Sequence, residues 1–233
     1  MNLKLITLDL DDTLWPVDAV LAEAERVFYQ YLCEQEPELF ATISAENLRS
    51  HRLAMFEQDP LFQHNVSLWR KRSLQQLLLD GGLTETRAAE LSESAFRVFL
   101  SHRQRVALFD GAQTILEELA SRYKLIALTN GNADVLQMPI GRLFTAAIRA
   151  EDIGISKPAP DMFVKAMEIA HCRAEECLHI GDDPYYDIAP ARALGMYQLR
   201  AAITGKVPAD TDSFSHWREV PACIDRLSPV KAT

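Results

Sequence analysis

The chain has 233 residues and a mass of 26.2 kDa, and 48% of its residues are hydrophobic. This length suits one large domain or a domain with a substantial insert, and the apolar fraction excludes an intrinsically disordered chain. Lys and Arg number 24 against 33 Asp and Glu, which gives a net charge of −9. Because such a charge repels nucleic acid and anionic lipid at long range, we expect neither as a partner.

The sequence also bears on where the protein works. No uninterrupted apolar stretch approaches the roughly 20 residues that cross a bilayer, and Asp9, Asp11 and Asp12 interrupt the apolar run near the N-terminus. We therefore expect neither a membrane span nor a secretory signal. The four cysteines have no metal-ligand or CxxC spacing, which is typical of free thiols in a reducing compartment. These features predict a cytoplasmic protein.

The first predicted element is a short apolar strand from Leu3 to Leu10, which ends in acidic residues. From about Val17 to Val106 apolar residues recur at three- and four-residue spacings, which are typical of amphipathic helices. No strand pattern interrupts this segment, and Gly81 and Gly82 end one of its helices. We therefore predict an all-helical segment directly after the first strand.

Strands and helices alternate in the rest of the chain. We predict strands at about 125–128, 146–149, 177–180 and 197–199, of which the last is expected to be the final strand. Helices are predicted at about 112–121, 160–170 and 188–194. Such alternation indicates a parallel sheet that is covered by helices on both faces.

The predicted fold class is therefore α/β, a Rossmann-like parallel sheet core with an inserted all-helical cap. We assign residues 1–16 and 105–233 to a discontinuous core and residues 17–104 to the cap. The stretch from Thr204 to Thr233 contains Phe214, Trp217 and Ile224, which we expect to dock on the core.

The first cluster of chemically useful residues follows the first strand. Asp9 and Asp11 are two positions apart, so both carboxylates can point into one site as nucleophile, metal ligand or proton carrier. An Asp-rich turn, with Asp12 and Thr13 bonded to the local backbone, would give the same residues. A buried strand that delivers three acids favours a metal site over the turn.

Two further elements follow later strands. Thr129, Asn130 and Gly131 supply a hydroxyl, an amide and a backbone that can approach a ligand closely, which suits phosphate oxygens. The same tripeptide is also an ordinary strand-to-loop turn. Lys157 lies before a proline, and a lone lysine in that position is usually solvated surface. Neither element alone identifies a site.

A second acidic cluster closes another apolar strand. Asp182 and Asp183 follow Gly181, and Asp187 comes four residues after Asp183. A hard cation such as Mg²⁺ prefers oxygen ligands from one or two carboxylates together with water and phosphate. Parallel sheets bind ligands beyond the carboxyl ends of their strands. These clusters and Lys157 therefore predict a phosphoryl-transfer site.

The order of these motifs resembles that of a known family. Asp9-x-Asp11-x-Thr13, then Thr129, then Lys157, then Gly181-Asp182-Asp183-x-x-x-Asp187 is similar to the four motifs of the haloacid dehalogenase superfamily, and the helical segment lies where type C1 caps are inserted. The segments Leu8–Trp15, Val66–Leu83, Leu128–Ala133 and Leu178–Asp187 resemble bacterial phosphatases that act on FMN and on the phosphorylated ribitylaminouracil intermediate of riboflavin synthesis.

The resemblance implies a Mg²⁺-dependent phosphoric monoester hydrolase that acts on a small phosphorylated metabolite, as a monomer or a homodimer. It implies that Asp9 attacks phosphorus and forms an aspartyl phosphate. Asp11 would protonate the leaving alkoxide and then deprotonate the attacking water. Lys157 would offset the repulsion between the Asp9 carboxylate and the phosphate.

The resemblance also implies a ligand set. Mg²⁺ would be held by the side chains of Asp9 and Asp182 and by the backbone carbonyl of Asp11. Asp183 and Asp187 would orient these ligands and Lys157. The phosphate would meet hydroxyl and backbone N–H groups at Thr129, Asn130 and Gly131.

One residue of the predicted cap is a candidate for substrate contact. Trp69 lies in the basic stretch Trp69-Arg70-Lys71-Arg72, where its indole could stack on a flavin or pyrimidine ring. The alternative is an amphipathic helix with a buried tryptophan and solvated cations. The sequence leaves both interpretations open.

Four other functions remain as alternatives. A 2-haloacid dehalogenase has no use for Asp11 or for the acids Asp182 and Asp183, and a phosphomutase would need its cap to retain a phosphorylated intermediate. A receiver-like signalling domain carries a single phosphoacceptor on a middle strand and has no helical insert of this size. An inactive binding module on the same scaffold would have no need of intact Asp9, Asp11, Lys157 and Asp182.

Overall fold

The computed structural model describes residues 2–206, 208–210 and 212–227. The chain divides into two compact units. One is the α/β unit, formed by Met1–Val17 and Val106–Thr233, and the other is the helical unit, Asp18–Arg105. The description of the helical unit as a cap stays a prediction.

Five α-helices and one 3-10 helix (Pro60–Gln63) form the insert, and α1 begins one residue before the helical unit. They are α1 (Val17–Gln35), α2 (Pro37–Phe40), α3 (Ala45–Phe56), α4 (Val66–Asp80) and α5 (Glu85–Arg103). Side chains cap several helix starts, as when Ser44 accepts a hydrogen bond from the backbone of Asn47 and Thr84 accepts one from the backbone of Arg87. Such caps satisfy amide groups that lack a partner within the helix.

The core of the helical unit is built from the apolar faces of α1, α4 and α5, to which α2 adds Phe40 and α3 adds Leu48. Phe28 and Phe99 meet edge to face with ring centroids 6.1 Å apart, and Leu78 and Leu91 are fully buried in the same cluster. The three- and four-residue periodicity of the sequence predicted these helices because each of them buries one apolar stripe.

The α/β unit contains one six-stranded sheet in the order β3-β2-β1-β4-β5-β6, in which every neighbouring pair is parallel. The strands are β1 (Leu5–Leu8), β2 (Lys124–Thr129), β3 (Ala146–Arg149), β4 (Cys177–Gly181), β5 (Tyr197–Ala201) and β6 (Ser213–Phe214). β1 and β4 are buried on both faces, as continuous apolar runs require. The predicted α/β fold class is confirmed.

Helices of the α/β unit connect these strands. They are α6 (Ala112–Ala120), α7 (Ala150–Ile153), α8 (Asp161–Ala170), α9 (Ala189–Ala193) and α10 (Val220–Arg226). α8 packs Met162 and Phe163 into a buried cluster with Ile126 and Leu128 of β2. Within the described ranges, no helix is both long enough and apolar enough to cross a membrane.

The prediction that the strand at 197–199 is the last was wrong, because β6 adds a short edge strand after β5. The expectation that the C-terminal stretch docks is confirmed for its described residues. Phe214, Trp217 and Ile224 are buried, and the indole N–H of Trp217 donates to the carbonyl of Thr13 at 3.0 Å. Residues 207, 211 and 228–233 lie outside the described part of this stretch.

Candidate active site

The four motifs meet at the carboxyl edge of the sheet. Asp9 follows β1, Thr129 ends β2, Lys157 follows β3 and α7, and Asp182 follows β4. Together they line one cavity of about 200 Å³, whose walls also include Asp11, Asp12, Asn130, Gly131, Asp183, Tyr186 and Asp187. The structure therefore brings together every site residue that was predicted in the α/β unit.

Lys157 is the centre of this site. Its Nζ atom donates to Oδ1 of Asp9 at 2.6 Å, to Oδ1 of Asp187 at 2.6 Å and to the backbone carbonyl of Leu128 at 3.0 Å. Its side chain is almost fully buried. Although burial alone would lower the pKa of Lys157, the carboxylates of Asp187 and Asp9 raise it, so the ammonium group stays charged. The interpretation of Lys157 as solvated surface was wrong.

A series of buried polar side chains holds Lys157 in position. Asp187 accepts from Lys157 and lies 3.2 Å from Nε2 of His179, while Nδ1 of His179 lies 2.9 Å from the hydroxyl of Thr7. Burial lowers the pKa of His179, so its imidazole is held neutral. Burial alone would raise the pKa of Asp187, but Lys157 and His179 lower it. The carboxylate of Asp187 is therefore ionised and fixed in orientation.

The acids around Lys157 carry more negative charge than it can neutralise. Oxygen atoms of Asp9, Asp182 and Asp187 lie within 4.8 Å of one another. Burial raises the pKa of Asp9, an effect that Asp187 and Asp182 increase and Lys157 opposes. Burial, Asp187 and Asp12 raise the pKa of Asp182 to about 7. Oxygen ligands that repel one another in a buried site fit a hard divalent cation.

Hydrogen bonds fix two acids of the first motif, Asp11 and Asp12, in position. The indole N–H of Trp15 donates to Oδ1 of Asp11 at 2.8 Å, and Trp15 itself is fully buried. Asp12 has a positive φ of 58°, and its carboxylate accepts from the backbone of Val17 at 3.0 Å and from Nζ of Lys206 at 2.8 Å. Trp15 therefore orients Asp11, and Asp12 stabilises the turn that follows the strand.

The second motif performs two different tasks. The hydroxyl of Thr129 accepts from the backbone of Gly131 at 2.9 Å, which leaves its proton available to a ligand in the cavity. The side chain of Asn130 instead bonds both backbone groups of Lys157, at 2.8 and 3.0 Å. Asn130 thus ties the loop that carries Lys157 to the end of β2.

Asp183 does not contact Lys157 with its carboxylate. That group caps a π-helical turn, Pro184–Ile188, by accepting from the backbone of Tyr185 at 2.7 Å and of Tyr186 at 2.9 Å. The backbone N–H of Asp183 donates to Oδ2 of Asp187 at 3.1 Å. Among the described residues, Asp187 thus links the backbone of Asp183 to Lys157.

Gly181 allows this arrangement because it has no side chain. A Cβ atom at this position would lie 2.4 Å from Cγ of Asp187. Only glycine lets the end of β4 pass this close to the buried carboxylate.

Trp69 lies in the helical unit and is partly buried. Its indole N–H donates to the carbonyl of Arg52 at 2.8 Å, and its ring meets Phe56 edge to face at 4.8 Å. It lines a cavity of about 670 Å³ within the helical unit. Contact between Trp69 and a substrate stays a prediction.

The interpretation of the neighbouring cations as solvated was wrong for Arg70. The Arg70 side chain is about nine-tenths buried, with its guanidinium 3.6 Å from the centroid of the Phe99 ring and 2.7 Å from Glu25. Glu25 also binds Arg52, whose side chain is equally buried. Burial lowers the pKa of Arg70 to about 10. Arg70 therefore stabilises the core of the helical unit.

Sequence reasoning missed Thr7, His179 and Tyr186. Thr7 and His179 are register partners on β1 and β4, and each is a polar residue within an apolar strand. That pattern is a usable signal, since a buried polar side chain needs a partner. Tyr186 lies between two acids of the fourth motif, and no pattern in the sequence distinguished it from a packed aromatic residue.

The comparisons with known proteins agree with this geometry. The profile of the family described as "Hydrolase: haloacid dehalogenase-like hydrolase" matches residues 3–195. A relative from Escherichia coli K12, "5-amino-6-(5-phospho-D-ribitylamino)uracil phosphatase YigB", is 34% identical over 84% of this chain and 82% of its own length. "Haloacid dehalogenase-like hydrolase domain-containing protein 3" from Xenopus laevis is 30% identical over 84% of this chain and 83% of its own.

A solved structure of a protein named "2-Haloacid Dehalogenase" from Pseudomonas syringae pv. Tomato DC3000 superposes with a TM-score of 0.88 at 36% identity, covering 96% of this chain and 99% of that one. The family match, together with relatives that are named as phosphatases, confirms the prediction of a phosphoric monoester hydrolase. The chain belongs to the haloacid dehalogenase-like hydrolase family.

Proposed function

We propose that the chain is a Mg²⁺-dependent phosphatase that hydrolyses a small phosphorylated metabolite through an aspartyl phosphate. FMN and the phosphorylated ribitylaminouracil of riboflavin synthesis are the preferred substrates of this proposal. The observation that carries it is the Asp9 carboxylate, which lies 2.6 Å from the Lys157 ammonium in the wall of a cavity that it shares with Asp182. The name of the Escherichia coli relative supports the substrate class.

In the first half of the reaction, a carboxylate oxygen of Asp9 attacks phosphorus while the bond between phosphorus and the ester oxygen breaks. Lys157 offsets the repulsion between the two anions, since its charge lies directly beside Asp9. Asp11 gives its proton to the leaving oxygen. The hydrogen bond from Trp15 holds Asp11 in place for this transfer.

In the second half, water attacks the aspartyl phosphate and releases inorganic phosphate. Asp11, now ionised, takes the proton from that water and is ready for the next cycle. The carboxylate of Asp9 is restored, and Lys157 again pairs with it.

The remaining residues bind and orient. Mg²⁺, when bound, supplies positive charge that draws phosphate to the acids, and Asp9, the Asp11 carbonyl and Asp182 would hold it. Both Asp187 oxygens already accept hydrogen bonds, which favours a role in positioning Lys157. The Thr129 hydroxyl and the backbone N–H of Asn130 would hold phosphate oxygens, while the N–H of Gly131 holds the Thr129 hydroxyl in position.

The proposal extends to the rest of the molecule. The helical unit would act as the cap that selects the leaving group, with Trp69 as one contact for a ring. We further propose a cytoplasmic protein that works as a monomer or a homodimer.

The test is phosphate release from FMN and from the phosphorylated ribitylaminouracil, with and without Mg²⁺. Wild type and Asp9→Asn are compared, because this change removes the nucleophile at nearly constant shape. We expect release that requires both the metal and Asp9. Release by Asp9→Asn at the wild-type rate would contradict the mechanism.

Similarity to the Pseudomonas syringae dehalogenase structure favours a second candidate, a 2-haloacid dehalogenase that would use Asp9 to displace halide. A halide leaves without a proton, so that reaction gives Asp11 no task. Asp182 and Asp187 would also repel the carboxylate of a haloacid. Halide release from 2-chloropropionate by wild type, in the presence of EDTA, would favour the dehalogenase.

A further inference from the structure

Two tyrosines stand exposed beside the candidate active site. Tyr185 is 63% and Tyr186 is 44% exposed, although large aromatic side chains usually bury most of their surface. Their rings meet edge to face with centroids 5.0 Å apart. In the part of the chain that the structure describes, no hydrogen bond engages either hydroxyl group. Packing therefore does not account for the position of these rings.

Tyr186 lines the cavity that contains Asp9, Lys157 and Asp182, whereas Tyr185 does not. The cavity measures about 200 Å³, which is below the roughly 300–1,000 Å³ of pockets that enclose drug-sized ligands. A phosphate group fits such a space, but the rest of a larger phosphorylated metabolite extends beyond it. The ring of Tyr186 is part of the wall that such a molecule passes.

The backbone holds Tyr186 in this position. Its N–H donates to Asp183 at 2.9 Å, the N–H of Asp183 donates to Asp187, and Asp187 binds Lys157 at 2.6 Å. The π-helical turn that carries it begins with Pro184, which restricts the backbone further. π-Helical turns are rare in proteins, and those that occur are often found at functional sites. The position of Tyr186 is thus coupled to that of the groups that would bind phosphate.

We propose that Tyr186 forms a subsite for a planar ring in the leaving group of the substrate, and so makes the enzyme prefer phosphate esters of ring-bearing alcohols over simple alkyl phosphates. This inference rests on the proposed phosphatase function. A tyrosine ring offers a flat apolar face for stacking, and its fixed backbone lowers the entropy lost when a ligand ring binds.

The test compares Tyr186→Ala, Tyr186→Phe and Tyr185→Ala with FMN and with glycerol 3-phosphate as substrates. We expect Tyr186→Ala to raise KM for FMN about 5- to 10-fold and to leave kcat and the KM for glycerol 3-phosphate nearly unchanged. Tyr186→Phe keeps the ring and should behave as wild type. Tyr185→Ala is the matched control, since Tyr185 does not line the cavity. Thermal melts of each variant show whether it is folded.

Equal rises of KM for both substrates, or no rise for either, would overturn the subsite. So would a loss that appears in Trp69→Ala and not in Tyr186→Ala. Quenching of FMN fluorescence by Asp9→Asn gives a second measurement that needs no turnover. Suppose that wild type releases no phosphate, but that Asp9→Asn with Tyr186→Ala binds FMN more weakly than Asp9→Asn alone. The phosphatase proposal then fails and the ring subsite stands. Unchanged FMN affinity in the double variant would overturn the subsite.

Discussion

Nζ of Lys157 lies 2.6 Å from Oδ1 of Asp187, and both side chains are only 2% exposed. This buried ion pair connects the loop after α7 to the turn after β4. Removing one partner of a buried pair is costly because the other charge remains without compensation. Loss of either partner should therefore destabilise the fold and displace Lys157 from its place beside Asp9.

We predict that Asp187→Asn lowers the free energy of unfolding by about 3 kcal/mol. It should also lower kcat about 100-fold, because a displaced Lys157 no longer holds Asp9. Urea denaturation and FMN hydrolysis measure the two effects. Asp225→Asn, at an exposed position, is the control. Wild-type stability in Asp187→Asn would show that the ion pair is not stabilising.

We predict that Gly181→Ala disturbs the same pair by steric conflict. The new Cβ would overlap Asp187, at a cost of about 1–3 kcal/mol. We expect a lower kcat because Asp187 must move away from Lys157. In Gly154→Ala, an added Cβ meets no atom within 4 Å. That control has backbone strain without a clash and should keep its kcat, and equal kcat losses in both variants would refute the steric explanation.

Asp182 should set the metal requirement. Replacing it by Asn removes a charged oxygen from the cluster with Asp9 and Asp187, so the Mg²⁺ concentration for half-maximal activity should rise about 10-fold or more. EDTA should abolish activity in wild type. Asp183→Asn is the matched control, because an amide oxygen can still cap the turn that Asp183 caps. Identical Mg²⁺ dependence in wild type and Asp182→Asn would exclude Asp182 as a ligand.

The helical unit should lose stability in acid through Glu25. Although burial alone would raise the pKa of Glu25, Arg70 and Arg52 lower it below the usual 4.5. The stabilisation is fully present above the unfolded pKa and is lost as pH falls through the folded pKa. Because the Glu25 side chain is 34% exposed, solvent screens part of the interaction, and Glu25→Gln should be less stable at pH 7 by about 1–2 kcal/mol. It should lose less stability than wild type between pH 5 and 3.

Denaturation of the full chain at several pH values measures this difference. Glu93→Gln is the control, because the ion pair between Glu93 and Lys71 is about half exposed on the glutamate side and should contribute little. Parallel pH profiles for wild type and Glu25→Gln would contradict the assignment.

The sequence predicted the sheet and most of the site for a physical reason. Continuous apolar runs identify strands that are buried on both faces, and parallel strands place their carboxyl ends on one edge. Asp9, Thr129 and Asp182 therefore lie at one edge of the sheet once the strands are identified, whereas Lys157 reaches them through the loop that follows α7. β6 escaped prediction because a two-residue strand has no periodicity.

Two side chains show what local patterns could not reveal. Solvated cations were one of two interpretations of the stretch that contains Arg70, because periodicity treats every arginine as polar, and only the fold brings Phe99 and Glu25 to Arg70. Tyr186 is a large aromatic residue of a type that is commonly buried, and only the π-helical turn exposes it at the cavity. Both depend on contacts or backbone geometry that the sequence pattern does not contain.

The position of β1 in the sheet has a consequence for how the protein is made. β1 lies between β2 and β4, where Leu5 pairs with both Lys124 and Cys177. A ribosome therefore synthesises the central strand first and both of its neighbours much later. The helical unit, whose contacts are local, can form while β1 still has no partners. Asp9 is consequently among the first residues of the site to leave the ribosome. The site can form only after Asp182 and Asp187 have also been synthesised.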